Sequence, residues 1–182
     1  MIIIFIQNIE NIDRHELTEW LHRFIHLNTF EISIPGLKDA SLVPENKSGM
    51  IVSFLAEYRL FEKLKNKGWY DEIRQLIENM LIEILNTTVY KGFREKIVKQ
   101  FSFTPLSIRE RTCSSEGGIV GWSFELASPV ENKIQSAGKS VYTAIPNVFQ
   151  AGQWAYSPAG VPMSILTGKF AADAALKAKK VS

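Results

Sequence analysis

The sequence holds 182 residues, with 21 Lys and Arg against 19 Asp and Glu and a formal charge of +2. Near-neutrality excludes nucleic acid as an expected partner, because phosphate binding needs a concentrated basic face. An apolar share of 46% excludes a disordered chain, and the single Cys113 excludes a disulfide framework or a cysteine-rich zinc module. The length predicts one domain, or one domain with an appendage, and the lone thiol fits a cytoplasmic compartment.

The first residues, Met1-Ile-Ile-Ile-Phe-Ile6, form an apolar run that stops at Gln7-Asn8. That run is far short of the roughly 20 residues needed to cross a bilayer. It also lacks the basic flank and small-residue cleavage site of a signal peptide, so it reads as a buried strand. Residues 13–27 show helical periodicity, with Leu17, Trp20, Leu21 and Phe24 on one face. Asp13 is the expected N-cap, and Glu16 makes the acidic half of a capping box. Residues 29–35 alternate as a strand that ends at Pro35-Gly36, and a turn-rich stretch leads to a second strand at 50–55. A long helix is expected over 70–85, where Ile73, Leu76, Ile77, Met80, Leu81, Ile84 and Leu85 recur at three and four. Residues 97–108 read as extended, interrupted at Thr104-Pro105. The class expected from this order is α+β. A mixed or antiparallel sheet would combine the strands at Ile2, Ile32, Ile51 and 101–108, packed by the two helices.

Three places carry residues of chemical interest. His15, Glu19, His22 and His26 fall within an arc of about 60° on the first helix, at 100° per residue. That arc lies opposite the apolar face and lacks the H-E-x-x-H order, so it reads as a solvated face and no metal is expected. Glu116-Gly-Gly-Ile-Val-Gly121 supplies only the last two glycines of a dinucleotide fingerprint, and no helix start follows. It reads as a glycine-rich turn, and the neighbouring Cys113 as an incidental thiol. The third place is the C-terminal stretch. Residues 147–151 suit a short strand that breaks at Gly152, a loop with Trp154, Tyr156, Pro158 and Gly160 follows, and Pro162 opens a helix. Ser164, Gly168, Ala172 and Ala175 place small side chains near one helix face. A strand, a glycine turn and a helix start together can bind an anion, because the first helical N–H groups lack partners.

Gln150-Ala-Gly-Gln-Trp-Ala-Tyr-Ser-Pro-Ala-Gly-Val-Pro-Met-Ser-Ile-Leu-Thr-Gly-Lys-Phe-Ala-Ala172 resembles the C-terminal signature of the phytoene dehydrogenase-like FAD-dependent oxidoreductases, which include carotenoid desaturases and retinol saturase-related enzymes. Phe30-Glu-Ile-Ser-Ile-Pro-Gly-Leu-Lys-Asp-Ala-Ser-Leu-Val-Pro-Glu-Asn-Lys47 is similar to the family's S-x-P-S-x-x-D-x-x-x-A-P-x-G-x segment. Phe103-Thr-Pro-Leu-Ser-Ile-Arg-Glu-Arg-Thr112, followed by Glu116-Gly-Gly-Ile-Val-Gly-Trp122, is similar to its T-P-x-x-x-x-x-x-T-x-x-x-x-G-x-x-x-G-W element. The pieces occur in the family's order along nearly the whole chain.

The resemblance implies a division at 143/144. Residues 1–143 would be part of a substrate domain, and 144–182 the segment that returns to the FAD-binding domain. Gly152 and Gln153 would then lie beside the ribityl–phosphate region of FAD, although relatives commonly carry an acidic group where Gln153 stands. Gly160, Val161 and Met163 would bring a helix start to the pyrimidine side of the flavin. Trp154 and Tyr156 would line the path of an apolar polyene or similar small substrate, and no residue is an evident acid or base. The N-terminal dinucleotide-binding region of the family has no counterpart in these 182 residues. The chain is therefore expected to be the C-terminal portion of such an enzyme, from a cut, broken or split gene, holding no FAD tightly and inactive alone. Its expected partner is a missing or separately encoded FAD-binding half, or a second copy. A non-catalytic interaction module is the alternative. No transmembrane segment is expected, and peripheral membrane contact stays open.

Overall fold

The structure, a computed structural model, describes residues 12–122 and 130–181. Its class is α+β in the coarse sense: it is helix-rich, with one small two-stranded antiparallel sheet. The chain forms two compact units, residues 1–107 and 108–182. The segment 144–182 lies inside the second, together with 108–143.

In the first unit, α1 (Arg14–Leu27) begins as its sequence dictates. The Asp13 carboxylate accepts the Glu16 backbone N–H at 2.8 Å, satisfying one of the orphan donors of the first turn. Leu17, Leu21 and Ile25 are buried on its inner face, and Trp20 stacks on Phe24 at 4.8 Å between centroids. β1 (Glu31–Ser33) and β2 (Ile51–Ser53) pair antiparallel, with Ile32 opposite Val52. Phe54, just past β2, meets Phe24 and Phe30 edge-on and so ties the ribbon to α1.

Next comes α2 (Tyr58–Asn66), which the strand-and-helix reading passed over. Tyr58, Leu60, Phe61 and Leu64 bury its inner side. Its end is a Schellman motif: Gly68 N–H bonds Lys65 O, and Trp69 N–H bonds Leu64 O at 2.9 Å. Gly68 supplies the left-handed residue this requires, at φ +72°. The long helix α3 (Tyr70–Thr87) follows at once and packs on α1 and α2 through Ile73, Ile77 and Met80. An ion pair from Arg14 to Glu72 spans α1 and α3 at the surface.

The polar side of α3 organises the segment after it. Tyr70, Arg74 and Glu78, spaced four apart, meet Thr104, Ser102 and Gln100, spaced two apart in the opposite direction. Tyr70 OH lies 2.8 Å from Thr104 Oγ1, Ser102 Oγ donates to Glu78 Oε1 at 2.5 Å, and Gln100 Nε2 donates to Glu78 Oε2 at 3.1 Å. The fit is metrical: four helical residues rise about 6 Å and two extended residues about 6.6 Å.

Two expectations are corrected here. No strand exists over 101–108, and residues 105–112 are α4 (Pro105–Thr112). Pro105 does not interrupt an extended run; it opens a helix as a first-turn proline. Ser107 Oγ accepts the Thr104 N–H at 3.3 Å, a capping-box contact made by serine rather than glutamate. The four-stranded sheet is accordingly not formed by these elements. Its proposed strand at Ile2 lies outside the described residues.

In the second unit, α5 (Val161–Val181) packs on a 3-10 turn, Ile134–Lys139. The expected strand at 147–151 is reduced to one antiparallel bridge, Tyr142 with Phe149. Pro146 and the left-handed Asn147 (φ 62°) turn the chain too tightly for a longer ladder. Ala137, Val141, Ala155, Tyr156 and Ala174 are the unit's buried apolar residues among those described.

Candidate functional site

The second unit brings together two segments that are far apart in sequence. One is the glycine-rich turn 114–122, and the other is the loop 151–159. Trp122 Nε1 donates to the Trp154 carbonyl at 2.8 Å, and the two indoles meet edge to face at 5.4 Å. Ala159 N–H donates to Val120 O at 3.3 Å. Gly121 is the closest approach, since a Cβ there would sit 2.2 Å from the Gln153 carbonyl oxygen. Its φ of +84° also requires glycine. The turn therefore serves as a clasp for the loop, which motif spacing alone could not reveal.

A groove of about 540 Å³ opens between the segments. Ile108, Thr112, Ser114, Gly118 and Ile119 form one wall, and Ala151, Gly152, Gln153 and Trp154 the other. The groove is open, and its surface is mostly apolar, with hydroxyl and amide groups at intervals. Gln153 is held in place. With its amide oriented to satisfy both ends, it donates to Ile119 O at 3.3 Å and accepts from Trp154 Nε1 at 3.3 Å.

Gly152 connects the groove to α5. Its N–H donates to Thr167 Oγ1 at 3.0 Å, while that hydroxyl donates to Met163 O at 2.9 Å. Thr167 is wholly buried, so this relay fixes the loop on the second turn of α5. A Cβ on Gly152 would touch nothing, which leaves its Cα face open. Gly160 precedes α5 at φ +151°, and its carbonyl accepts the Ser164 N–H at 2.9 Å. The N–H groups of Val161 and Met163 have no helical acceptor, and Pro162 has no N–H.

Of the expected site residues, Gly152, Gln153 and Trp154 share the groove. Gly160, Val161 and Met163 form the helix start, with Val161 exposed and the other two half-buried, and are not among the groove's lining residues. Tyr156 is buried beneath the loop rather than on the groove wall. Thr112, Ser114, Gly118 and Ile119 were missed as lining residues, because nothing in their spacing links them to residue 150 and beyond.

The histidine face is solvent-exposed. His15, Glu19, His22 and His26 all lie on the outer side of α1, and no group of three metal-ligating side chains converges among the described residues. No helix of the described residues is long and apolar enough to cross a membrane. Comparison with known protein families, with curated proteins and with solved structures finds no match to this chain.

Proposed function

We propose that this chain is the C-terminal portion of a phytoene dehydrogenase-like FAD-dependent oxidoreductase, supplying one wall of a flavin and substrate site whose other wall belongs to the enzyme's FAD-binding half. The observation that carries the reading is the clasp. The two segments whose residues most resemble the family, 103–122 and 150–172, converge on a single groove although more than thirty residues separate the paired tryptophans.

The donor set fits the cofactor in part. The start of α5 offers two N–H groups and the positive end of a helix dipole, which favour the anionic N1–C2=O edge of a reduced flavin. Gly160 leaves room for a flat ring, since the nearest atom to a Cβ built there is Pro162 Cδ at 4.0 Å. Gly152 has spent its N–H on Thr167 and would meet the sugar chain through its open Cα face. No part of the sequence supplies the strand, G-x-G-x-x-G turn and helix that cradle a pyrophosphate. When bound, the flavin would take or give the hydride to an apolar polyene or similar substrate. This chain's residues would position the ring edge and exclude water with Trp154 and Ile119.

A second reading is favoured by α5. Val161, Ile165 and Leu176 on its outer face are 75%, 69% and 61% exposed. With Gly168 and Ala172 they form one apolar stripe about 22 Å long, at 1.5 Å per residue. Such a stripe suits a non-catalytic interaction module that pairs with a second copy or another protein.

Fragment complementation tests the first reading. The pure chain, mixed with FAD and passed over gel filtration, is expected to lose the flavin absorbance. Mixed also with an FAD-binding half from a phytoene dehydrogenase-like enzyme, it is expected to co-elute with flavin. Stoichiometric flavin on the chain alone, or no co-elution with any such half, overturns the proposal.

A further inference from the structure

All three histidines of the chain lie on α1. His15, Glu19, His22 and His26 follow one another at steps of four, three and four residues, and so form a single stripe along its outer side. All four side chains are exposed, and among the described residues none of them makes a hydrogen bond, an ion pair or a ring contact. Their neighbours on the same helix are engaged. Arg14 pairs with Glu72, the Glu16 N–H is capped by Asp13, and Thr18 Oγ1 donates to Arg14 O at 2.9 Å.

The pair His22 and His26 has the spacing that matters. Residues four apart on a helix have Cβ atoms about 5–6 Å apart, and helical side chains lean toward the N-terminus, so His26 leans toward His22. Two imidazole nitrogens from such a pair can close on one ion at the usual metal–nitrogen distance of about 2.0–2.1 Å. The absent H-E-x-x-H order argues against a zinc centre that pairs its ligands with a general base; a two-nitrogen chelate needs only the four-residue step. The scaffold beneath it is firm. Leu17, Leu21 and Ile25 are buried on the opposite side, so the pair is held in helical register before any ion arrives. His26 stands in the last turn, where the helix dipole favours a positive charge. Glu19, one turn before His22, adds a carboxylate to the same stripe, while Arg23 lies about 100° round the helix from His22.

We infer that His22 and His26 chelate one first-row transition-metal ion of the class that prefers imidazole: copper(II), nickel(II) or zinc(II). Two protein ligands leave at least two positions of a four-coordinate ion to water or to a ligand from another molecule, so the site takes up and releases its ion at the surface. His15 is too distant to join the pair, because seven residues put it roughly 10 Å from His22 along the axis. The inference does not depend on the flavin reading and involves residues of the first unit only.

Isothermal titration of the full chain with each metal salt, in a buffer that does not coordinate metals, tests it. One ion per chain is expected, with copper(II) bound more tightly than nickel(II) or zinc(II), and magnesium not bound. His22→Ala and His26→Ala are each expected to weaken binding about tenfold or more, since a single imidazole cannot chelate. His15→Ala and Cys113→Ser are expected to leave it unchanged. All three histidines are exposed, so circular dichroism of their variants should match that of the parent. The electron paramagnetic resonance spectrum of the copper(II) complex is expected to show two coupled nitrogens, and fewer in the His22→Ala chain. Absence of binding overturns the inference, as does binding that survives both His22→Ala and His26→Ala. So does a loss with Cys113→Ser that matches the loss with the histidine variants, because the exposed thiol would then be a ligand.

Discussion

Gly121 is the residue on which the groove depends most directly. Two independent terms oppose any side chain there. The backbone lies at φ +84°, which costs a non-glycine residue about 1–2 kcal/mol, and a Cβ would collide with the Gln153 carbonyl. The carbonyl cannot yield cheaply, since the adjoining Trp154 carbonyl is bonded to the Trp122 indole. Gly121→Ala is therefore expected to destabilise the second unit by roughly 2–3 kcal/mol and to spread the Trp122–Trp154 pair. The readout is clean by exclusion: Trp20 and Trp69 belong to the first unit, so Trp122→Phe and Trp154→Phe controls assign the fluorescence change. An unaltered urea midpoint in the Ala variant would mean that the clasp is not a close contact. A sequence reader sees Gly121 as the last glycine of a failed fingerprint. Its actual task, a close approach to a backbone 32 residues away, leaves no mark in local spacing.

Elements differ in how openly the sequence announces them, for reasons visible in their ends. Helices α1 and α3 carry long apolar stripes at three and four, and their observed bounds differ from the expected ones by only one or two residues. The start of α4 is hidden because a proline in sequence reads as a breaker, whereas Thr104 and Ser107 make it a first-turn residue. For α2 the signal was present, with four buried apolar positions and Gly68 after the last turn, but it is only nine residues long. Residues 97–103 form no strand, although their apolar β-type residues look like one whichever way they face. Between elements, the contact that seats the groove loop on α5 is the Thr167 relay. Thr167→Val keeps the shape and removes the acceptor for the Gly152 N–H, with an expected loss of about 1–2 kcal/mol. Thr167→Ser keeps the hydroxyl and should recover most of that loss. Chemical denaturation of the two variants checks the pair. Destabilisation by Ser with none by Val would mean that the γ-methyl packing, not the hydrogen bond, holds the loop.

At the scale of the whole molecule, the two functional readings make different demands on the outer face of α5. Fully covering a Val, Ile or Leu side chain is worth about 1.5–3 kcal/mol, and the three large residues there are already partly covered. Burial of both stripes in a pair of copies could return roughly 6–12 kcal/mol, while association costs from about 4 to 15 kcal/mol or more. A stripe of five residues is also far short of the roughly 20–30 residues per partner in a stable interface. The stripe by itself therefore supports only weak, transient self-pairing. The same stripe would be well used as one strip of a larger contact, as when a helix closes onto a separate folded half. Sedimentation velocity of the chain alone is expected to show a monomer at low micromolar concentration, with slight association at high concentration. Ile165→Lys with Leu176→Lys should remove that association while leaving helix content unchanged. The same substitutions should abolish co-elution with an FAD-binding half, because an uncompensated lysine would then be buried at the contact. A tight homodimer that these lysines dissolve would instead favour the interaction module, since the stripe would then have its complete partner in a second copy.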